Sequence, residues 1–321
     1  MSLTPFGSTP TCPGNHRDVT VGLVNKNFSK IALTGNTDDA RVVDTLRILA
    51  GHLLERGLTV FASAEQTPDD LPDAVTQVPD ATFADDADLI IAVGGDGSML
   101  HAARAAVRAG KPLLGINRGR LGFLADVSPS ENFGPLDSVI AGQYEIEPRM
   151  LLEAEVLTAD GVRNSCGIAL NDVVIKRQDT GRLVEFRSYI DDRYVNTHGG
   201  DGFIVATPTG STAYALSCGG PIVTPGLDAL VLAPICPHTL SDRPIVISSK
   251  SVTGIQLGDD DTDSAMVSCD GEVAGRLEAG DRLLVAVADQ QVELIHPTGY
   301  DYYGILRSKL HWGRGNRAPR R

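Results

Sequence analysis

The chain has 321 residues, enough for about two domains, and its 42% hydrophobic and 21% charged content suits well-formed cores. A formal net charge of −13 argues against a nucleic-acid binder that works by bulk electrostatics, although a local pocket lined by N–H groups can still hold an anion. The five cysteines are scattered and form no Cys-x-x-Cys, no basic-then-apolar leader is present, and no apolar run approaches a membrane span; this reads as a cytoplasmic protein with reduced thiols.

Residues 1–18 are rich in Ser, Thr, Pro and Gly and read as a disordered extension. Val19 to Val24 reads as the first strand, and Asn25 to Asn36, without a clean period, as a loop. Thr37 is the expected N-cap of a helix from Asp38 to about Arg56, with Val42, Leu46, Leu49 and Leu53 at helical spacing and Gly57 as its stop. Leu58 to Ala62 reads as a second strand, and the acidic, proline-marked stretch Asp69 to Asp80 as surface. Leu89 to Val93 is an apolar run suited to a strand buried on both faces. Gly94, Gly95 and Gly97 follow at once, then a helix over Met99 to Ala109 that Gly110 ends. Leu113 to Asn117 reads as another strand, Gly115 to Val127 as a second glycine-punctuated loop, and Phe133 to Ala141 as a short helix. This order predicts an α/β N-terminal domain with a Rossmann-like parallel sheet over 19–143.

From Tyr144 the character becomes β-rich, over 144–297. The expected strands are Leu151 to Leu157, Ile168 to Lys176, Leu183 to Ile190, Gly202 to Thr207, Ile245 to Ser248, Leu283 to Ala288 and Val292 to Ile295. Asp259 to Asp263 reads as a solvated hairpin tip. Residues 298–321 form a final segment, with helical spacing over Tyr300 to Trp312 and a basic tail from Arg314.

Three stretches carry chemistry. Gly94 to Gly97 is a strand-to-helix turn of the form GGDG. Its glycines allow close approach, and the helix start suits phosphate, whereas Asp96 suits a hydroxyl. It is not a Walker A loop, and Leu100 stands where a dinucleotide fingerprint needs its third glycine. Asp201 to Pro221 is again strand, glycine turn and short helix, with Ser211 and Thr212 offering hydroxyls and Tyr214 an aromatic ring. Asn171-Asp172 puts an amide and a carboxylate at a strand edge, suited to ribose hydroxyls or a base edge. Taken singly, each reads equally well as a tight turn, a capped helix or a β-bulge.

Taken together, GGDGSML, GINRGRLGFL, Asn171-Asp172, TPTGSTAYALSCGGP and PHTLSDRPIVI resemble the NAD kinase family, over roughly Val19 to Trp312. The resemblance implies a two-domain enzyme with its site between the domains and a final segment that returns to the N-terminal domain. It implies phosphoryl transfer from ATP or another donor, polyphosphate included, to the 2′-hydroxyl of the adenosine ribose of NAD. It also implies a divalent cation such as Mg²⁺, expected to ride on the donor's phosphates rather than on a side-chain cluster, and a homodimer or homotetramer. By the same matching, Asp96 would accept the proton, Gly97 would line the NAD pocket and His101 would face phosphate. Asn171 and Asp172 would contact ribose or adenine, and Arg182 and Asp201 would be a basic and an acidic pocket position. Thr212, Ala213, Tyr214, Ala215, Leu216 and Ser217 would hold the dinucleotide. Gly199 and Glu272 depart from the family pattern, which has arginine at the first in some members and glutamine or arginine at the second. Two alternatives stand beside this reading. GGDG turns also occur in lipid kinases, but no basic amphipathic helix or lipidation motif is present here. A non-catalytic NAD-binding regulator on the same fold would retain the pocket without the transfer.

Overall fold

The computed structural model describes residues 27–118, 122–125, 127, 133–178, 184–258 and 264–311. The first part runs β1 (Lys30–Gly35), α1 (Ala40–Glu55), β2 (Thr59–Ser63), β3 (Thr76–Val78), β4 (Leu89–Gly94), α2 (Asp96–Ala109), β5 (Leu113–Asn117) and α3 (Gly134–Ile140). The strands pair in the order β3-β2-β1-β4-β5, all parallel. Every residue of β4 and β5 is buried, as expected of strands covered on both faces. Small side chains Ala102, Ala103 and Ala106 line the buried face of α2 and let it lie close on the sheet, and Gly110 ends the helix in a left-handed conformation (φ 62°).

The second part runs β6 (Tyr144–Leu157), β7 (Arg163–Ala169), β8 (Asp172–Arg177), β9 (Val184–Ile190), β10 (Arg193–Gly200), β11 (Gly202–Ala206), α4 (Tyr214–Ser217) and β12 (Ala229–Ile235). It continues with β13 (Ile245–Ser248), β14 (Thr253–Leu257), β15 (Ala265–Cys269), β16 (Glu272–Leu277), β17 (Arg282–Pro297) and α5 (Tyr302–Lys309). An antiparallel sheet of order β13-β12-β11-β8-β15-β16 packs on the β6, β9, β14 and β17 part of the large sheet. The core between them includes Val173, Ile175, Phe203 and Leu232 from one side and Leu152, Phe186, Ile255 and Val285 from the other. Strands β6 and β17 form one long antiparallel ribbon, and at its far end Leu294 and Ile295 pair in parallel with Leu113 and Leu114 of β5. This ribbon makes one continuous sheet of the two parts.

Several expectations are corrected. Residues 30–35 form the strand β1 rather than a loop, because Ile31, Ala32 and Leu33 are wholly buried between β2 and β4. The cap of α1 is Asp39, whose carboxylate accepts the Arg41 N–H at 2.9 Å, not Thr37. Helix α2 begins at Asp96, three residues before Met99. The two runs expected over Leu283 to Ile295 are one strand with an irregularity between Val287 and Gln291. The strands β7, β10, β12, β14, β15 and β16 carry no expectation from the sequence or only part of one. Val19 to Val24, residues 1–18, Arg182, Asp259 to Asp263, Trp312 and the basic tail lie outside the described residues.

Candidate active site

Gly94 takes φ 148°, and a Cβ there would come within 2.9 Å of the Ser98 Cβ, so the turn out of β4 needs glycine. Gly95 is the N-cap of α2 and gives its first turn no side-chain acceptor, which leaves backbone N–H groups for a ligand. A cavity of 340 Å³ opens there, at the carboxyl ends of β1 and β4, where open α/β sheets hold ligands. Gly97 and His101 line it with Thr34, Asn36, Gln66 and Ser98. His101 is held by Asp80, whose carboxylate lies 3.2 Å from Nε2. A second hollow of 260 Å³ shares Asn36, Gly95 and Ser98 and adds Arg41 and Arg118.

Asp96 is half-buried beside this cavity. Its Oδ2 accepts the Phe123 N–H at 3.2 Å and its Oδ1 the Leu124 N–H at 3.0 Å. The second glycine stretch therefore bears on the same carboxylate. A Cβ on Gly122 would overlap it, lying 3.1 Å from Cγ and closer to Oδ1. Each carboxylate oxygen keeps a lone pair for a further donor.

The other half of the site is built around Asn171. Its carbonyl accepts the Thr207 N–H at 2.9 Å, the Thr207 hydroxyl donates to the Leu170 carbonyl at 2.6 Å, and the Gly210 N–H donates to Thr207 Oγ1 at 3.0 Å. These bonds seat the Gly210–Thr212 turn and α4 on the start of β8. The Ser211 hydroxyl is used internally, donating to the Pro208 carbonyl at 2.6 Å and accepting the Val223 N–H at 2.9 Å. Thr212 donates to the Thr209 carbonyl at 3.2 Å. Tyr214 is partly exposed, and the Lys176 Nζ lies 4.5 Å from its ring centroid. Ala213 and Leu216 are also partly exposed, Ala215 is buried and Ser217 is exposed. Asp201 stands at the opposite end of β11 from this cluster, 2.8 Å from Arg177 and within hydrogen-bond reach of the Cys236 thiol.

The two halves share one core and one bridge. Met99, Ala102 and Ala103 of α2 pack in the same cluster as Leu170, the residue before Asn171. Arg104 of α2 forms an ion pair with Glu272 and donates to the Cys269 carbonyl at 3.4 Å. Glu272 thus has a partner within the chain. Two further groups escaped the sequence reading. Buried Arg149 donates to Thr209 Oγ1 at 3.1 Å and pairs with Glu147 at 2.6 Å. Asp270 accepts the N–H groups of Leu170, Asn171 and Asp172.

Two family models match the chain, the ATP-NAD kinase N-terminal domain over residues 31–144 and the ATP-NAD kinase C-terminal domain over residues 170–297. The NAD kinase of Nitrosococcus oceani is 45% identical over 292 residues, covering 90% of this chain and 98% of that protein. The NAD kinase of Ectopseudomonas mendocina is 46% identical over 287 residues, 89% of this chain and 97% of the other. The chain belongs to the NAD kinase family. Among solved structures, yeast NADH kinase complexed with NADH shares the fold at a TM-score of 0.82, with 24% identity and coverage of 94% of this chain and 93% of the other. An NAD kinase from Archaeoglobus fulgidus in complex with ATP matches at a TM-score of 0.64, with 25% identity and coverage of 87% and 99%.

Within the cluster around Asn171 the environment works against the charge of Asp172. This residue is 5% exposed, and its carboxyl is pushed up to about 7 by burial first and by the Asp270 charge second, with Lys176 opposing. An unfolded aspartate titrates at about 3.9. Between these two values the unfolded chain has released a proton that the folded chain keeps, so folding stability falls as pH rises from about 4 to about 7. Asp172→Asn removes that penalty. Without nucleotide the variant should match wild type near pH 3.5, below the unfolded value, and exceed it at pH 8, by at most about 4 kcal/mol. Thermal melts at the two pH values check this; a variant no more stable than wild type at pH 8 would refute it.

Proposed function

We propose that this chain phosphorylates the 2′-hydroxyl of the adenosine ribose of NAD to give NADP, with ATP as a donor and Asp96 as the proton acceptor. The observation that carries this reading is the carboxylate of the glycine turn, set at the start of α2, a helix whose core reaches Leu170 just before Asn171 and Asp172, while the turn that leads to Tyr214 is bonded to the Asn171 carbonyl through Thr207. A ribose hydroxyl is a weak nucleophile at neutral pH. It needs alignment with the γ-phosphorus and a nearby acceptor for its proton, and Asp96 offers both lone pairs and charge. Phosphate would lie against the unpaired N–H groups of α2 beside Gly97 and His101, and most of the rate would come from positioning and charge neutralisation. Asn171, Asp172 and residues 212–217 would hold the dinucleotide, with Tyr214 stacking on a ring. Asp201 would act from the far end of β11, where it pairs with Arg177. Both matched domains are those of ATP-NAD kinases, which disfavours a lipid kinase.

The cavity offers a divalent cation hydroxyl, amide and imidazole groups, and among the described residues no three acidic, histidine or cysteine side chains cluster as a metal site. This lining fits a Mg²⁺ ion that arrives on the donor's phosphates. Such an ion would neutralise charge that develops on the transferred group. We place the protein in the cytoplasm; the four described cysteines are free, and among the described residues no helix is long and apolar enough to cross a membrane. A homo-oligomer is supported by apolar side chains on two outer strands and the loop beside them: Tyr194 and Val195 of β10, Val246 of β13, and Leu240, which is 92% exposed.

The test is NADP formation by the purified protein with NAD, Mg²⁺ and either ATP or polyphosphate. Tyr214→Ala should raise the KM for NAD about tenfold or more, the loss of one good ligand contact, with little change in melting temperature. Unchanged NAD kinetics would remove α4 from the pocket. A wild-type protein that binds NAD and makes no NADP from any donor would favour the regulator.

A further inference from the structure

We propose that Asp270 is a positioning residue for the transfer: from the turn between β15 and β16 it holds the Leu170–Asp172 backbone at the dinucleotide site. The inference rests on the reading that Asn171 and Asp172 face the dinucleotide.

The geometry is specific. Oδ2 of Asp270 accepts the Leu170 N–H at 2.8 Å, and Oδ1 accepts the Asn171 N–H at 2.7 Å and the Asp172 N–H at 3.2 Å. Strand β8 begins only at Asp172, so the strand ladder does not serve the amides of Leu170 and Asn171, and the carboxylate takes them instead. The Asp270 N–H returns a bond to the Asp172 carbonyl at 2.9 Å. Asp270 and Gly271 both take positive φ, 51° and 84°, which closes the turn tightly against β8. One residue on, Glu272 pairs with Arg104 of α2, and the Cys269 carbonyl accepts from the same guanidinium. A single four-residue turn therefore holds the Asn171–Asp172 backbone with one carboxylate and the helix that carries Asp96 with the other.

The charge argument follows from the neighbours of Asp172. Lys176 on β8 favours its ionised form and Asp270 opposes it; the Cys269 and Cys218 thiols lie near it, their own ionisation disfavoured by its charge, and Arg104 faces Asp270. Burial and these charges leave Asp172 between its two forms near neutral pH. Only the ionised form is purely an acceptor for a ribose hydroxyl or a base amino group. A ligand donor therefore favours ionisation, and NAD should bind more tightly as pH rises through this range.

Calorimetric titration with NAD alone, from pH 5.5 to 8.5, together with KM values for NAD and ATP, tests the proposal. For wild type the NAD dissociation constant should fall about tenfold from pH 6 to pH 8. Asp270→Asn keeps the shape but turns one acceptor into a donor and removes the opposing charge. Its step should move to lower pH than in wild type, and its KM for NAD should rise fivefold or more at pH 8, with the KM for ATP within twofold. A step and an NAD KM unchanged from wild type would overturn the proposal. So would NAD and ATP KM values that rise together, which is the mark of a merely structural loss. If Asp270→Asn does not fold, Asp172→Asn decides, because it must abolish the step, and a step that persists overturns the proposal. A wild-type protein with no step, joined to an Asp172→Asn variant of normal NAD affinity, would instead remove Asn171–Asp172 from the dinucleotide site and the proposal with it.

Discussion

Replacing Asp96 by asparagine is expected to lower turnover by about 10²- to 10⁴-fold while the dissociation constant for NAD stays within a few-fold of wild type. The substitution keeps size and shape, and it removes the charge and the capacity to take a proton. An amide oxygen can still accept a hydrogen bond from a ribose hydroxyl, which is why binding changes little. The structure adds a stability term. Asp96 accepts from both Phe123 and Leu124, and an amide can serve only one of these N–H groups. The lost bond is worth about 1 kcal/mol, so the melting temperature should fall by about 2–4 °C. Melting curves and steady-state kinetics on the same preparation separate the two roles. Turnover within a few-fold of wild type, with the small melting shift present, would leave Asp96 as an anchor for the 122–125 turn and nothing more.

What the sequence made legible was local. The run over Leu89 to Val93, followed at once by glycines, reads as a strand and a turn into a helix, and β4 stands where it puts it, while α2 starts three residues early, inside the glycine turn. The strand β1 was hidden because Lys30, Thr34 and Gly35 dilute a core of only three apolar residues, while Val19 to Val24 offered a cleaner pattern. Strand β10, over Arg193–Gly200, is an edge with a mostly exposed first half, so it shows no alternation to read. Asp96 and Tyr214 drew attention as a carboxylate and an aromatic ring in strand–glycine turn–helix stretches and Asn171 as an amide beside a carboxylate at a strand edge, but only the resemblance of all three stretches together singled them out as candidates. Their supports were not legible. Asp270 bonds to residues about 100 positions earlier, and Arg104 bonds to a carbonyl 165 positions later. No periodicity or spacing encodes such pairs. They exist only once β8 and β15 have aligned in the sheet.

Gly210 and Gly97 should respond in opposite ways to the same added methyl group. A Cβ on Gly210 would meet the Asn171 backbone, 2.7 Å from its Cα and closer still to its carbonyl carbon and oxygen. Neither side can retreat cheaply. The Gly210 N–H is bonded to Thr207 Oγ1 at 3.0 Å, the Ser211 N–H to the Thr207 carbonyl at 2.9 Å, and the Thr207 N–H to the Asn171 carbonyl at 2.9 Å. All three are buried, and each left unmade costs about 1–3 kcal/mol. Gly210→Ala should therefore destabilise the chain by about 3–5 kcal/mol, a fall in melting temperature on the order of 10 °C, and abolish NAD-dependent turnover. Gly97 lies in α2, where an added methyl group would have nothing within 4 Å, and it lines the cavity. There alanine is the better helix former by about 0.5–1 kcal/mol, so Gly97→Ala should melt at or above the wild-type temperature. Its methyl group would occupy ligand space, so KM values should rise even as the fold tightens. Calorimetric melts paired with kinetics read both outcomes. A Gly97→Ala enzyme with normal KM values would mean that the cavity at the start of α2 is not where substrate lies, and a Gly210→Ala protein of normal stability would mean that the turn before α4 is free to move away from Asn171.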